Sequence, residues 1–193
     1  PPPPRLVIDK SRLTGENKQS QNKIVANVCF MLGEMAEEDK DDDGALEYYN
    51  MAIEFTVHEQ SMLNLAKVHL RKHNLTECEE TCSTLLRVGK MKEAATMILG
   101  DLMFIKSDFE SATVQYRNLL KENPNNYVAM EKLVSLLRRA GKLDEADELF
   151  KKAEEKDPRS SSHAGLFFAK GLQLRCVRAS EASAESMLVY GGS

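Results

Sequence analysis

The sequence predicts an all-α protein, a right-handed superhelical solenoid in which pairs of helices stack on one another. The main observation is a fixed spacing of small, aromatic and proline residues. Three pairs share the same spacing: Ala112 and Ala146, Tyr116 and Phe150, and Pro124 and Pro158. A second observation is that a Leu-Gly or Leu-Val dipeptide precedes each set, at 99–100 and 133–134. A period of about 34 residues is typical of repeats built from two helices, which bury their apolar faces by stacking.

Residues 24–158 therefore divide into about four repeats of the tetratricopeptide type. A Leu followed by a smaller residue in the first helix lets the two helices of a pair approach closely. It occurs at four places: 32–33, 65–66, 99–100 and 133–134. The second helix carries two residues four positions apart, which lie on one helix face toward the first helix. These pairs are Ala45 and Tyr49, Cys78 and Cys82, Ala112 and Tyr116, and Ala146 and Phe150.

Signals at the helix ends agree with this register. Thr76 and Glu79 match a capping box, which predicts a helix start at Thr76. The segments 107–110 and 142–145 open the second helices of repeats three and four, and Gly141 marks a turn. Proline closes a repeat because it cannot lie inside the following helix.

The segments outside the repeats are expected to differ from them. Residues 1–23 are proline-rich and then polar, which predicts a flexible lead-in. Residues 159–175 are predicted to form the first helix of a further repeat. Residues 176–193 lack the spacing of small and aromatic residues, so we interpret them as a divergent tail.

Composition narrows the function classes. A net charge of −4 argues against nucleic acid as a partner, because binding phosphates needs a concentrated basic face. No run of 18 apolar residues is present, so we expect no membrane insertion. Four irregularly spaced cysteines favour a reducing, intracellular compartment. Catalytic and phosphate-binding motifs are absent, so we expect no enzyme, no cofactor and no small-molecule substrate.

Two clusters of polar side chains have the chemistry of metal ligands. Residues 39–44 match the start of a calcium-binding loop, but the position that needs a bidentate Glu is Asn50. His69, His73, Cys78 and Cys82 have zinc-ligand chemistry, yet both cysteines occupy core positions of the repeat. We therefore expect no metal, a solvated acidic loop, and two buried thiols. His58 and His163 are expected on the surface.

The inner face of the first helices is the candidate binding surface. Its expected members are Phe30, Leu63, Leu70, Met97, Phe104, Arg138 and Arg139. We expect these apolar side chains to face neither the paired helix nor the next repeat. An apolar stripe that ends in charge suits an amphipathic helix of a partner protein. The alternative is that these residues pack locally or against other parts of a larger superhelix.

Several stretches resemble the tetratricopeptide repeat protein 21 family over roughly residues 45–175. They are EAATMILGDLMF, LLRRAGKL, AKVHLRKHNLTECEETCSTLL and FFAKGLQLR. The resemblance implies a scaffold subunit of intraflagellar transport complex A, in retrograde transport and cilium assembly. It also implies other subunits of that complex as partners, and a cytoskeleton-associated location in the cilium and cytoplasm. The alternative is a free-standing adaptor that binds a peptide or a chaperone.

Overall fold

The computed structural model describes residues 18–156 and 170–171. Helices α1 to α8 follow one another within residues 18–156. Their bounds are α1 (Lys18–Glu38), α2 (Asp42–Phe55), α3 (Glu59–Arg71), α4 (Leu75–Val88), α5 (Lys92–Ile105), α6 (Phe109–Glu122), α7 (Tyr127–Arg139) and α8 (Leu143–Lys156). No strand occurs among the described residues, in agreement with the predicted all-α class.

The first helix begins earlier than the sequence predicted. We expected a flexible lead-in through residue 23, but α1 begins at Lys18. The added residues, KQSQNK, contain neither proline nor glycine, and Lys and Gln are good helix formers. Residues 1–17, 157–169 and 172–193 lie outside the described residues, and with them most of the predicted further helix, the tail and His163.

The chain divides into two compact units, residues 1–95 and residues 96–193. In the first unit α1 packs on α2, α2 on α3, and α3 on α4. The buried core of this unit includes Ala26, Cys29, Ala45, Tyr49, Ala52, Phe55, Leu65 and Val68. Each pair of helices thus shares its apolar face with the next pair.

In the second unit α6 packs on α7 and α7 on α8. Its core contains four of the residues whose spacing predicted the repeat: Ala112, Tyr116, Ala146 and Phe150. Ala112 and Ala146 have no exposed surface, which confirms that they are buried. The entropic cost of ordering these alanines is low because their small side chains lose no rotamer freedom.

The two helices of a pair approach closely at Gly100, as they do at Gly33. An added Cβ there would lie 2.5 Å from Cε1 of Tyr116. Tyr116 itself is 1% exposed, so its ring fills the space beside the glycine. The predicted contact between the small residue of the first helix and the aromatic residue of the second is therefore confirmed here.

The turn inside each repeat has the same backbone conformation. Lys40, His73, Ser107 and Gly141 have φ values of 60°, 60°, 62° and 72°. The sequence indicated this turn at Gly141, where a left-handed φ carries no steric cost. In the three other turns a residue other than glycine adopts this backbone conformation. Residue type alone therefore did not indicate those turns.

The start of α4 differs from the predicted capping box. The helix begins at Leu75 with Asn74 as its N-cap, and the Asn74 side chain makes no capping bond. Asn74 Nδ2 instead lies 3.3 Å from His69 Nδ1 on the preceding helix. Thr76 lies inside the first turn, so the prediction that it caps the helix is wrong.

His58, which was expected on the surface, is half-buried and caps α3. Its Nδ1 accepts the Ser61 N–H at 3.2 Å, and its Nε2 lies 3.1 Å from Asn27 Oδ1. The ring also packs on Phe30, with centroids 5.2 Å apart. Nδ1 must be unprotonated to accept, so Nε2–H donates to Asn27. Burial lowers the pKa of His58, although Glu59 acts in the opposite direction.

This cap should make stability depend on pH. The unfolded chain binds a proton at His58 near pH 6.5, whereas the folded chain does so only at lower pH. The contribution of neutral His58 is thus complete above about pH 6.5 and is lost as the pH falls through the folded-state pKa. We expect His58→Asn, which keeps an acceptor at the cap, to show a smaller fall in Tm between about pH 7.5 and about pH 5. All other titratable groups are common to the two proteins, so an equal fall in both would contradict this role.

Candidate protein-binding groove

Three helices of the second unit contribute to the floor of a groove. Tyr116 OH on α6 donates to Asp101 Oδ1 on α5 at 2.5 Å, and Lys132 Nζ on α7 donates to the same oxygen. Burial, together with the bond to Asp101, raises the pKa of Tyr116, so the phenol remains a donor. The negative charge of Asp101 is therefore already satisfied by the chain.

An aromatic and arginine cluster forms one rim of the groove. The rings of Phe104 and Phe109 meet edge to face, with centroids 5.5 Å apart. The Arg139 guanidinium lies over both rings, 4.6 Å from the Phe109 centroid and 5.8 Å from that of Phe104. Phe104 is nevertheless 40% exposed. The cluster thus presents a rigid apolar edge and a positive charge to solvent.

The groove itself has a volume of about 250 Å³. Glu131, Ser135 and Arg138 lie on one face of α7 because they are spaced by four and three residues. The lining residues are Asp101, Phe104, Tyr116, Glu131, Lys132, Ser135, Arg138 and Arg139. Among the described residues, neither Glu131 nor Arg138 forms an ion pair. A ligand would therefore meet unpaired charge beside an aromatic edge.

A second cavity of the second unit, about 540 Å³, is larger but less suited to charged ligands. Its floor includes the apolar side chains of Met130, Leu137 and Leu149. At its rim Arg117 pairs with Glu145, and Lys152 lies 3.8 Å from Glu148. Its charges are thus largely matched to one another, and we take the smaller groove as the candidate site.

The structure brings together three of the seven predicted binding residues. Phe104, Arg138 and Arg139 line the groove; counting along the repeat indicated the first two, and Arg139 was expected as the charge that flanks them. Met97 is partly buried and packs on the core of the second unit. It is therefore mainly a packing residue.

The predicted residues of the first unit are less accessible than expected. Leu63 is only 6% exposed, so the expectation that its burial requires a partner outside these repeats is wrong. Phe30 is half-buried and its ring centroid lies 6.0 Å from that of Tyr49. Leu70 is also half-buried. The physical reason is that neighbouring parts of the chain already cover these first-helix positions.

The acidic segment 39–44 has a structural role in the first unit. Asp41 caps α2 by accepting the Gly44 N–H at 3.0 Å. Asp42 binds Arg71 through two guanidinium nitrogens, and Asp43 lies 2.6 Å from Lys72. The pKa of Asp42 is lowered, chiefly by its bond to Arg71. These carboxylates therefore join one repeat to the next.

The two cysteines of α4 are core residues, as predicted. Cys78 and Cys82 have no exposed surface. The bond to Cys78 and burial both raise the pKa of Cys82, so its thiol stays protonated. Within the part of the chain that the structure describes, no group of three His, Cys, Asp or Glu side chains is placed to hold a metal ion.

The Tyr116 connection was not predicted, although the sequence contains a signal for it. In the first unit Tyr49 OH donates to Glu37 Oε1 at 2.7 Å and accepts from Asn64 Nδ2 at 3.2 Å. Asn64 and Lys132 occupy equivalent positions in the first helices of their repeats. In both units a tyrosine of the second helix follows a glycine of the first helix at the same interval, Tyr49 after Gly33 and Tyr116 after Gly100. A glycine and a tyrosine at this interval, together with a polar residue in the next helix, are the signal for such a tyrosine hydrogen-bond network.

Two curated proteins are similar to most of this chain. Tetratricopeptide repeat protein 21A of Mus musculus is 35% identical over 153 residues, which are 79% of this chain and 12% of that protein. Tetratricopeptide repeat protein 21B of Xenopus laevis is 32% identical over 157 residues, or 81% of this chain and 12% of that protein. The chain thus spans about an eighth of the length of these relatives.

Solved structures share the fold at low sequence identity. A tetratricopeptide repeat protein from Parabacteroides merdae has a TM-score of 0.67 at 17% identity, over 86% of this chain and 65% of that one. YrrB, described as a tetratricopeptide protein with an unusual peptide-binding site, has a TM-score of 0.58 at 22% identity, over 80% and 78%. These likenesses confirm the predicted class of helix-pair repeats. In residues 18–156 and 170–171, moreover, no helix has both the length and the apolar character needed to cross a bilayer.

A family described as the TT21 fifth ARM repeats domain matches residues 93–187. The match continues past α8 and includes part of the segment 176–193, which we expected to diverge. It agrees with the resemblance carried by EAATMILGDLMF and LLRRAGKL, which lie in the same region. The chain belongs to the tetratricopeptide repeat protein 21 family.

Proposed function

We propose that this chain is part of a non-enzymatic scaffold subunit of intraflagellar transport complex A. In that role it serves retrograde transport and cilium assembly, in the cilium and the adjoining cytoplasm. Membership of the tetratricopeptide repeat protein 21 family supports this role. Stacked helix pairs also offer extended surfaces that are suited to holding other proteins.

The groove of the second unit is the proposed contact with another subunit. The observation that carries this proposal is that one groove combines exposed Phe104 with Arg138, which forms no ion pair with another described residue. Aromatic residues and arginine are the residue types that most often dominate the energy of protein interfaces. Lys132 and Tyr116 hold the groove floor in place, so these groups need little ordering on binding.

A free-standing adaptor that binds a peptide or a chaperone is the second candidate. It is supported by the likeness to YrrB, whose description names a peptide-binding site. Both candidates use the same kind of surface, so the partner distinguishes them. Affinity purification of the chain from ciliated cells, followed by quantitative mass spectrometry, provides the test. Enrichment of intraflagellar transport subunits supports the scaffold, whereas enrichment of chaperones without them favours the adaptor.

Phe104→Ala should weaken association without unfolding the protein. Removing a central aromatic anchor typically costs about 1–3 kcal/mol of binding energy. The measurement is titration of the variant with the partner that co-purifies, alongside circular dichroism. Val114→Ala is the matched control, because Val114 is 52% exposed on α6 and does not line the groove.

Two results would contradict the groove. A cooperative loss of helicity in Phe104→Ala would make this residue part of the core. Unchanged affinity in both Phe104→Ala and Arg138→Glu would place the contact elsewhere on the chain. The family assignment would survive either result, because it does not depend on these side chains.

A further inference from the structure

Helix α1 carries an apolar stripe that the described residues leave uncovered. Ile24, Val28, Met31 and Met35 are spaced by four, three and four residues, so they lie along one helix face. Their exposed fractions are 63%, 42%, 61% and 58%. A contiguous apolar face of this kind on a folded chain normally marks a contact surface.

The positions of Val28 and Met35 are buried in later repeats, whereas Val57, one repeat after Ile24, is 59% exposed. Val28 and Met35 correspond to Ser61 and Val68, which occupy these positions one repeat later, in α3, and have no exposed surface. In the fourth repeat the corresponding residues of α7 are Ala129 and Leu136, which are 0% and 4% exposed. Helix α2 packs on α3 and helix α6 packs on α7. The internal repeats thus identify the kind of element that covers this face: the second helix of a preceding pair.

Charge at the end of α1 distinguishes it from the first helix of the next repeat. At the end of α3, Arg71 and Lys72 pair with Asp42 and Asp43 at the start of α2. At the positions of Arg71 and Lys72, the preceding repeat carries the acidic residues Glu38 and Asp39. Neither of these two carboxylates forms an ion pair with any described residue. A helix that covers α1 as α2 covers α3 would place its first turn beside them.

A second copy of this chain is a poor occupant for this face. Every second helix of the described residues carries acid in its first turn: Asp42 and Asp43 in α2, Glu77 in α4, Glu110 in α6, and Asp144 and Glu145 in α8. Any of these helices would bring like charge to Glu38 and Asp39. Like charges opposed across an interface disfavour the pairing.

We propose that the stripe of α1 docks the second helix of a preceding repeat in a longer polypeptide, and that this helix begins with basic residues. The apolar stripe provides the affinity, and Glu38 with Asp39 selects the charge of the partner. The curated relatives have ample additional length, because this chain covers 12% of each.

A pair of fusions tests this proposal. A copy of residues 18–56 is joined ahead of Pro1 of the full chain, with Met31→Gln and Met35→Gln in the copy. The copy either keeps Asp42 and Asp43 or carries Asp42→Lys and Asp43→Lys. The measurement is the rate at which hydrogen peroxide oxidises Met31 and Met35 of the original α1, followed by mass spectrometry. We expect the basic copy to slow oxidation about tenfold or more relative to the unfused chain, and the acidic copy to slow it less than about twofold.

Charge reversal on α1 provides the matched control. With Glu38→Lys and Asp39→Lys in the original α1, the acidic copy should protect the two methionines and the basic copy should not. Equal protection by both copies would overturn the charge selection, and protection in none of the four combinations would overturn the docking face. Sedimentation of the unfused chain should show a monomer. Self-association that protects Met31 and Met35 would identify a second copy as the occupant instead.

Discussion

Ala146→Glu is expected to unfold the fourth repeat. Ala146 has no exposed surface and lies in the core that α7 and α8 share. A carboxylate placed there has no partner, so it must either stay charged in an apolar site or take up a proton. The cost is on the order of 3 kcal/mol or more, a large fraction of the stability of a domain. In a stacked array the loss should begin in the altered repeat, because each repeat contacts only its neighbours.

The measurement is circular dichroism for total helicity, with hydrogen exchange to locate the change in α7 and α8. Val114→Glu is the matched control, since it adds the same charge to a helix at a position that is 52% exposed. We expect the control to melt within a few degrees of the original chain. Equal stability of Ala146→Glu and the control would contradict the alignment of equivalent residues between repeats, on which the fold assignment depends.

Gly100→Ala should destabilise the second unit even though alanine favours helices. Its Cβ would lie 2.5 Å from Cε1 and 2.8 Å from Cζ of Tyr116. The ring cannot turn aside freely, because its hydroxyl is bound to Asp101 and the side chain is 1% exposed. Overpacking of this kind costs about 1–3 kcal/mol, which outweighs a gain in helix propensity of up to about 1 kcal/mol. Chemical denaturation of the two proteins gives the difference in free energy of unfolding.

The second repeat indicates which substitution completes a double-mutant cycle with Gly100→Ala. There the corresponding residues are Ala66 and Cys82, and both are fully buried. In a Tyr116→Cys background the clash is absent, so Gly100→Ala should become neutral or stabilising by up to about 1 kcal/mol. A double-mutant cycle measures this change of sign. If the cost of Gly100→Ala were the same in both backgrounds, the glycine would be required for a reason other than the Tyr116 ring.

Part of the candidate groove followed from counting along the repeat. Phe104 and Arg138 were identified because the inner face of a first helix repeats at known positions, and Arg139 because it adds charge beside Arg138. Leu63 was misjudged because a position in a helix does not say what lies opposite it. The bond network of Asp101, Tyr116 and Lys132 was missed for a related reason. Its members are 15 and 31 residues apart in sequence, and helical periodicity does not pair residues across such distances.

The sequence by itself determined the repeat architecture and the family. Both follow from local patterns: a helical period within each half-repeat, a regular spacing of equivalent residues between repeats, and motifs such as LLRRAGKL. Tertiary structure decided which of the equivalent positions are buried. Met31 and Asn64 occupy the same place in successive repeats, yet the apolar residue is 61% exposed and the polar one 9%. The reason is that burial depends on the neighbouring helix: α2 covers α3, whereas no described helix covers that face of α1.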